Sequence, residues 1–458
     1  MLHLAVLRIY QMQDKSYSKS EKCSAGGIIK WSDCNTRINE CITAFSFTFE
    51  HCGMVMNRHD SKFLGFDIFL AAIGMAAFSA SVHANWSITG LGSLGGDISF
   101  ARGINDNGQV VGYAYTSSGD RHAFMTGANG VGMVDLGTLG GSESLSTSIN
   151  DAGQVVGQAA LTLDNPMGYH AFLAGPQGAS IHDLGSLGKD YSSASGINNS
   201  GQVVGHVGVF SGSPFDYHAF VTGSNGVGMK DLGTLGGTDS FATAINDAGT
   251  VIGASFTDTG STHAFLVRAD GVGMTDLGTL GDDYSYAIGI NGSGQIVGES
   301  LAKGSVLPHA FITGQDGNKM LDLGTLGGRY SSATGINDAG EAVGVSTVLN
   351  GGGNFDAFIY SHGGITDLSQ LDAVIGGGWT NLFVSDINNH GQIVGYGLDS
   401  QGRTEAFLLS YTPDTVFHPQ PIFIPLPVPE PETYLMWLVG LGLLGWMAVH
   451  RKRKVDMV

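Results

Sequence analysis

Five histidines stand at the head of the same tripeptide, His-Ala-Phe: His122, His170, His218, His263 and His309. Each is followed thirteen residues later by an aspartate: Asp135, Asp183, Asp231, Asp276 and Asp322. Imidazoles and carboxylates bind metals and move protons, so such a set could form a metal ring. In the sixth and seventh copies Asp356 and Glu405 stand in the histidine's place and could join it as carboxylates. The run Thr-Leu-Gly-Gly after the aspartate is glycine-rich like a phosphate loop, but it lacks the lysine and the following helix of one. The Asn-Asp-Ala-Gly turns share residue types with calcium loops, yet offer too few spaced carboxylates for an EF-hand-like site. Weak calcium binding is the furthest that composition goes; no other cofactor and no metal ligand is assigned. Glu299, Glu341 and Glu405 are the carboxylates from which a glycosidase pair could be drawn. There is no nucleophile elbow and no HExxH, so no catalytic residue is assigned.

Repetition weighs against chemistry at the histidines and aspartates. Catalysis needs a unique constellation, whereas a residue copied into every repeat lies one repeat away from its nearest copy. The expected role of the histidine is to tie its strand to a neighbouring turn by a hydrogen bond. The aspartate is expected to accept backbone N–H groups and shape the turn that follows it.

The elements that position these residues recur with a period of about forty-seven residues. An Ile-Asn pair opens a turn at Asn105, Asn150, Asn198, Asn246, Asn291, Asn337 and Asn388. Aspartate to next asparagine is fifteen residues in five copies and twenty-one in the last, while asparagine to the His-Ala-Phe position varies from seventeen to twenty. Each unit reads as four short strands around Asn-Asn-Ser-Gly and Ser-Asn-Gly turns, whose residues supply the left-handed angles of tight hairpins. No sustained three-four apolar spacing occurs between Asn85 and Thr412. Four strands at this period predict an all-β chain, a seven-bladed β-propeller of four-stranded blades over residues 85–412. The stretch Asn85 to Gly92 supplies a fourth strand with no three before it, and the last copy has three without a fourth. Their pairing would close the ring and remove the free edge. An open β-array is the rival architecture.

Composition narrows the function. The chain carries a formal net charge of −19, with only 9 Lys+Arg against 29 Asp+Glu between Asn85 and Thr412. Such a surface repels nucleic acid and anionic lipid, so no nucleic-acid partner is expected. All four cysteines, Cys23, Cys34, Cys41 and Cys52, precede residue 53, so disulfides cannot hold the main body together.

The ends read as addresses. Residues 56–84 have a basic start, an apolar stretch and small residues before Ala84, the pattern of a signal peptide cut by signal peptidase after Ala84. Residues 1–55 are then expected to be an upstream extension outside the native protein. A proline-rich linker, 413–428, leads to residues 429–454. There Pro429, Glu430 and Pro431 precede an uncharged run from Tyr434 to Val449, closed by Arg451, Lys452, Arg453 and Lys454; residues 455–458 form a tail. Sixteen helical residues span about 24 Å, short for a bilayer core of about 30 Å. One transient transmembrane helix is expected over 434–449, with the basic cluster on the cytoplasmic side.

This order of motif, apolar helix and basic tail resembles the PEP-CTERM sorting signal. The resemblance implies recognition and processing by an exosortase, and export through the inner membrane to the cell surface or beyond, with anchoring before the tail is processed. The middle of the chain resembles the extracellular HAF repeat, named for the tripeptide, which implies secretion and no mechanism. The resemblance to exosortase-sorted proteins, a system associated with exopolysaccharide production, implies polysaccharide as the leading ligand class, with a matrix protein as the other partner.

Function is expected where a rigid scaffold carries variable connections. Those lie between the second and third strands and between one unit and the next, on one face. Tyr169, Phe215, Tyr217, Phe355 and Trp379 fall there as candidate ligand-binding aromatics, able to stack on sugar rings. The expectation is a non-catalytic surface or matrix protein binding glycan or protein. The alternatives are a secreted glycan-acting hydrolase or lyase, and a structural coat or biofilm protein.

Overall fold

The computed structural model describes residues 85–412 except 163–167, 210–215, 270–272 and 350–354. The expected upstream extension, signal peptide with Ala84, proline-rich linker, sorting motif, helix over 434–449 and tail, and also Phe215, lie outside the described residues. Among the described residues, no helix is long and apolar enough to cross a membrane.

The fold is all-β, built of mostly antiparallel four-stranded sheets in a propeller-like arrangement. The third unit shows the pattern: Tyr191–Ile197, Val203–Val209, Asp216–Val221 and Lys230–Asp231 pair in sequence order. Ile197 faces Val203 across the first hairpin, whose turn closes with Gly201 N–H donating to Asn198 O at 2.9 Å. Gly201 has φ +75, and a Cβ there would stand 2.8 Å from Asn225 N, so both backbone angle and space require glycine. In every unit the first strand carries a register shift two residues before the Ile-Asn pair closes, as between Ala194 and Gly196. Five units form separate four-stranded sheets, and the fourth and fifth are joined by one parallel bridge, Thr262 to Tyr284.

The tripeptide explains itself once the sheets are in place. Its phenylalanine fills the space between neighbouring sheets: Phe124, Phe172, Phe220, Phe265, Phe311, Phe358 and Phe407 are all fully buried. Its alanine is small, and its N–H donates to a serine on the first strand of the next sheet, as Ala123 does to Ser144 Oγ at 2.9 Å. Ser144 Oγ in turn donates to Gly137 O at 2.6 Å. The same contact recurs at Ala171, Ala219, Ala264 and Ala310, and Ala406 makes it with Ser99 of the first sheet. Between the sixth and seventh sheets Leu382 takes the serine's place, and an apolar cluster replaces the bond.

The first strands pack against one another in succession, and the seventh, Thr380–Ile387, packs against Gly95–Ile104 of the first. At the Ile-Asn turns each asparagine Nδ2 donates to the backbone oxygen of the next unit's asparagine. The series runs Asn105, Asn150, Asn198, Asn246, Asn291, Asn337, Asn388 and back to Asn105, at 2.9–3.3 Å. The strand Asn85–Gly90 pairs antiparallel with Thr404–Thr412, from Asn85 opposite Thr412 to Gly90 opposite Phe407, and so supplies the fourth strand of the last sheet.

Candidate functional site

The histidines are architectural. Each Nδ1 meets the aspartate thirteen residues on, at 2.6–2.9 Å in all five copies. Each aspartate also accepts, at 2.7 Å, the N–H of the glycine two residues after it. Imidazole, carboxylate and turn thus form one tie per sheet. Among the described residues, no group of three His, Cys, Asp or Glu is placed to hold a metal ion.

The three glutamates also have separate tasks. Glu341 accepts from Asn337 Nδ2 at 2.8 Å, the place that Gln109, Gln154, Gln202, Gln295 and Gln392 hold in other turns. Glu405 accepts the Gly92 N–H at 2.9 Å. Glu299 is held by two phenols, Tyr284 on Oε1 and Tyr330 on Oε2, both at 2.8 Å. Burial, then the neighbouring carboxylate charge, pushes both phenols up, Tyr330 to about 12. They stay protonated and donate to Glu299.

Two cavities lie on the axis where the seven first strands converge. One, of about 210 Å³, is ringed by the Asn turns. The other, of about 680 Å³, is bordered by residues of all seven sheets, including Arg102, Tyr113, Gln158, Ser193, Phe383 and Tyr396. Asp386 borders both. It occupies a position that is Gly103, Ser148, Gly196, Ala244, Gly289 or Gly335 in the other sheets, and it is partly buried. Burial raises its carboxyl to about 7, against the pull of the Ile104 and Ile387 N–H groups it accepts at 3.1 and 2.9 Å.

An arc of aromatic rings runs beside the larger cavity through the sixth, seventh and first sheets. Ring centroids step from Tyr330 to Phe355 (5.4 Å), Phe383 (6.0 Å), Tyr396 (5.3 Å, nearly parallel), Phe100 (4.8 Å) and Tyr113 (4.8 Å). Arg102 lies over the Tyr113 face at 5.6 Å. A second group, Tyr191, His206, Tyr217 and Phe241, joins the third and fourth sheets. Burial lowers His206 to about 4, so its imidazole is neutral at neutral pH.

The structure separates the aromatics expected to bind together. Phe355 belongs to the arc and Tyr217 to the second group. The Tyr169 hydroxyl donates to Glu143, which also pairs with Arg121; burial raises this phenol to about 12. Trp379 is a correction. It is 9% exposed and packs on Phe407 at 5.7 Å, within the cluster of Leu368, Val374 and Leu382. The longer connection of the last unit contains the five-residue helix Asp372–Gly376, which turns Val374 inward over this core. It fills space rather than presenting a loop to a ligand. Sequence reasoning missed Phe100, Arg102, Tyr113, Phe383 and Tyr396, which lie on regular strands and not in variable connections. For Tyr113 and Tyr396 the signal is the varied residue after the constant glycine of each second strand: Tyr113, Gln158, His206, Ala254, Glu299, Val345 and Tyr396.

Comparison with known proteins bears on the far end of the chain. Residues 427–453 match the PEP-CTERM protein-sorting motif. The match contains Pro429, Glu430, Pro431, Arg451, Lys452 and Arg453, and it implies handling by an exosortase and export to the surface or the extracellular space. No curated protein matches the chain. Two similar solved structures are oligogalacturonate lyases. One, in complex with manganese, has 12% identity and TM-score 0.47, covering 73% of this chain and 94% of that one. The other, from Vibrio parahaemolyticus, has 10% identity and TM-score 0.46, covering 71% and 96%. Neither likeness says what this chain binds.

Proposed function

We propose that the chain is an exported surface or matrix protein whose HAF repeats form a seven-bladed β-propeller, closed by its own first strand, that binds glycan in the axial cavity without cleaving it. The arc from Tyr330 to Tyr113 beside the 680 Å³ cavity is the observation that carries this reading. Sugar rings pair an apolar C–H face with a rim of hydroxyls. Tyr113, Phe383 and Tyr396 offer the complement of the first, and Gln158, Ser193 and Ser195 the complement of the second. The volume lies within the range of pockets that enclose a small ligand, about 300–1,000 Å³. The state of the carboxylates supports binding over cleavage: Glu299 is held on both oxygens by phenols and Asp386 by two backbone N–H groups. The sorting tail supports a surface location, where signal peptidase and exosortase act in turn and polysaccharide or matrix protein is at hand. A glycan array probed with the full-length protein, followed by chromatography of the bound oligosaccharides, tests both halves. Recovery of intact ligand is expected; shortened or unsaturated products would establish a hydrolase or lyase instead.

A further inference from the structure

We infer that the axial cavity is selective for an anionic sugar, one bearing a carboxylate or sulfate that pairs with Arg102. This deepens the glycan-binding reading and rests on it. Arg102 stands where the other first strands carry Thr147, Ser195, Thr243, Ile288, Thr334 and Ser385. Several of those hydroxyls are used up between sheets: Thr147 Oγ1 donates to Ala194 O at 2.9 Å, Thr243 Oγ1 to Ala287 O at 3.0 Å and Ser385 Oγ to Ala101 O at 2.9 Å. An arginine breaks that pattern and makes no such bond. Its side chain is exposed, borders the cavity and rests over Tyr113, and it has no carboxylate partner among the described residues.

Lys230, Lys303, Lys319 and Arg329 likewise have no carboxylate partner among the described residues, but of these five cations Arg102 alone borders the cavity. Elsewhere Arg121 pairs with Glu143, Lys189 with Asp216 and Arg403 with Asp399. Among the described residues on the cavity wall the only other charged one is Asp386, whose two oxygens are held by backbone N–H groups. With its carboxyl raised to about 7, Asp386 is mostly neutral in mildly acid conditions, which leaves Arg102 to set the sign of the cavity. A guanidinium presents a planar fork that matches a carboxylate or sulfate through two parallel N–H bonds. Tyr396 and Phe383 then flank the sugar that carries the anion. The acidic outer surface would discourage the same polymer from binding elsewhere, so selectivity falls to this one cation.

The test uses the full-length protein and three hexasaccharides: a hexuronate, its methyl ester, and a sulfated neutral hexamer. The account expects at least one anionic hexamer to bind about tenfold or more tighter than the ester at low salt. Preference for the uronate assigns a carboxylate, preference for the sulfated hexamer a sulfate. Arg102→Gln should bring the ratio of acid to ester affinity close to one at an unchanged melting temperature, and Arg102→Lys should restore part of it. Equal binding of ester and acids by the wild type, or a preference that survives Arg102→Gln, would overturn this inference alone. Failure of all three to bind would overturn it together with the glycan-binding reading.

Discussion

Glu405 accepts the Gly92 N–H at 2.9 Å, the bond that an aspartate makes with its own turn in five other sheets. The residue at the aspartate's position here is Gly90, and a Cβ on it would stand 2.5 Å from Glu405 Oε1. The longer acid reaches across from the adjacent strand and occupies the space of the missing one. Glutamate at 405 and glycine at 90 therefore fit one another, at the seam where the two ends of the described chain meet.

That reciprocity predicts compensation. Gly90→Asp alone should destabilise by about 2 kcal/mol, through overpacking and an unpaired second carboxylate. Adding Glu405→His rebuilds the pair of the other sheets and should recover about 1 kcal/mol or more as coupling energy. Denaturant melts of the two single variants and the double variant give that coupling directly.

The asparagine series predicts equal stakes around the ring. Asn388→Ala removes the inter-unit donor to the Asn105 carbonyl, which keeps only the Gly108 N–H, and leaves the Gln392 N–H without its partner; Asn198→Ala does the same for Asn246, which keeps the Gly249 N–H, and for Gln202. Each should cost about 2–3 kcal/mol. In an open array the Asn388 bond to the first unit would be absent, so a cost near zero at Asn388 beside a full cost at Asn198 would argue against closure.

Most of this scaffold is legible in the sequence because each repeated residue does one local task. Glycine at 201 meets a left-handed turn, phenylalanine at 220 fills the gap between sheets, and aspartate at 231 caps its turn. The binding face is less legible. A position such as Tyr396 or Arg102 looks like ordinary variation within a strand until seven strands converge and make it part of one wall. Trp379 misleads for the opposite reason: an insertion reads as a loop, but Leu368 and Val374 bury themselves and draw the indole in with them.

Trp379→Ala should accordingly cost about 3–5 kcal/mol of stability, the range for emptying a buried aromatic site. Thermal melts should show the loss, while affinity for glycan measured well below the transition should stay at the wild-type value.

Asp386 predicts a pH signature. Its folded carboxyl, near 7, lies above its unfolded value of about 3.9. Between these values the native state holds a proton that the unfolded chain has lost, so this residue's contribution to stability falls as pH rises from about 4 to about 7. Asp386→Asn should therefore gain a few kcal/mol over wild type at pH 8 and almost nothing at pH 4. Urea titrations at both values check the sign.

The binding reading meets its most direct test at Tyr396, which borders the cavity and stacks on Phe383 at 5.3 Å. Isothermal titration of the full-length protein with the oligosaccharide selected on a glycan array should give saturable binding to the wild type. Tyr396→Ala should bind about tenfold or more weakly, as expected from removing a stacking platform. Equal affinity of the two proteins, or no saturable glycan binding by the wild type, would contradict the account.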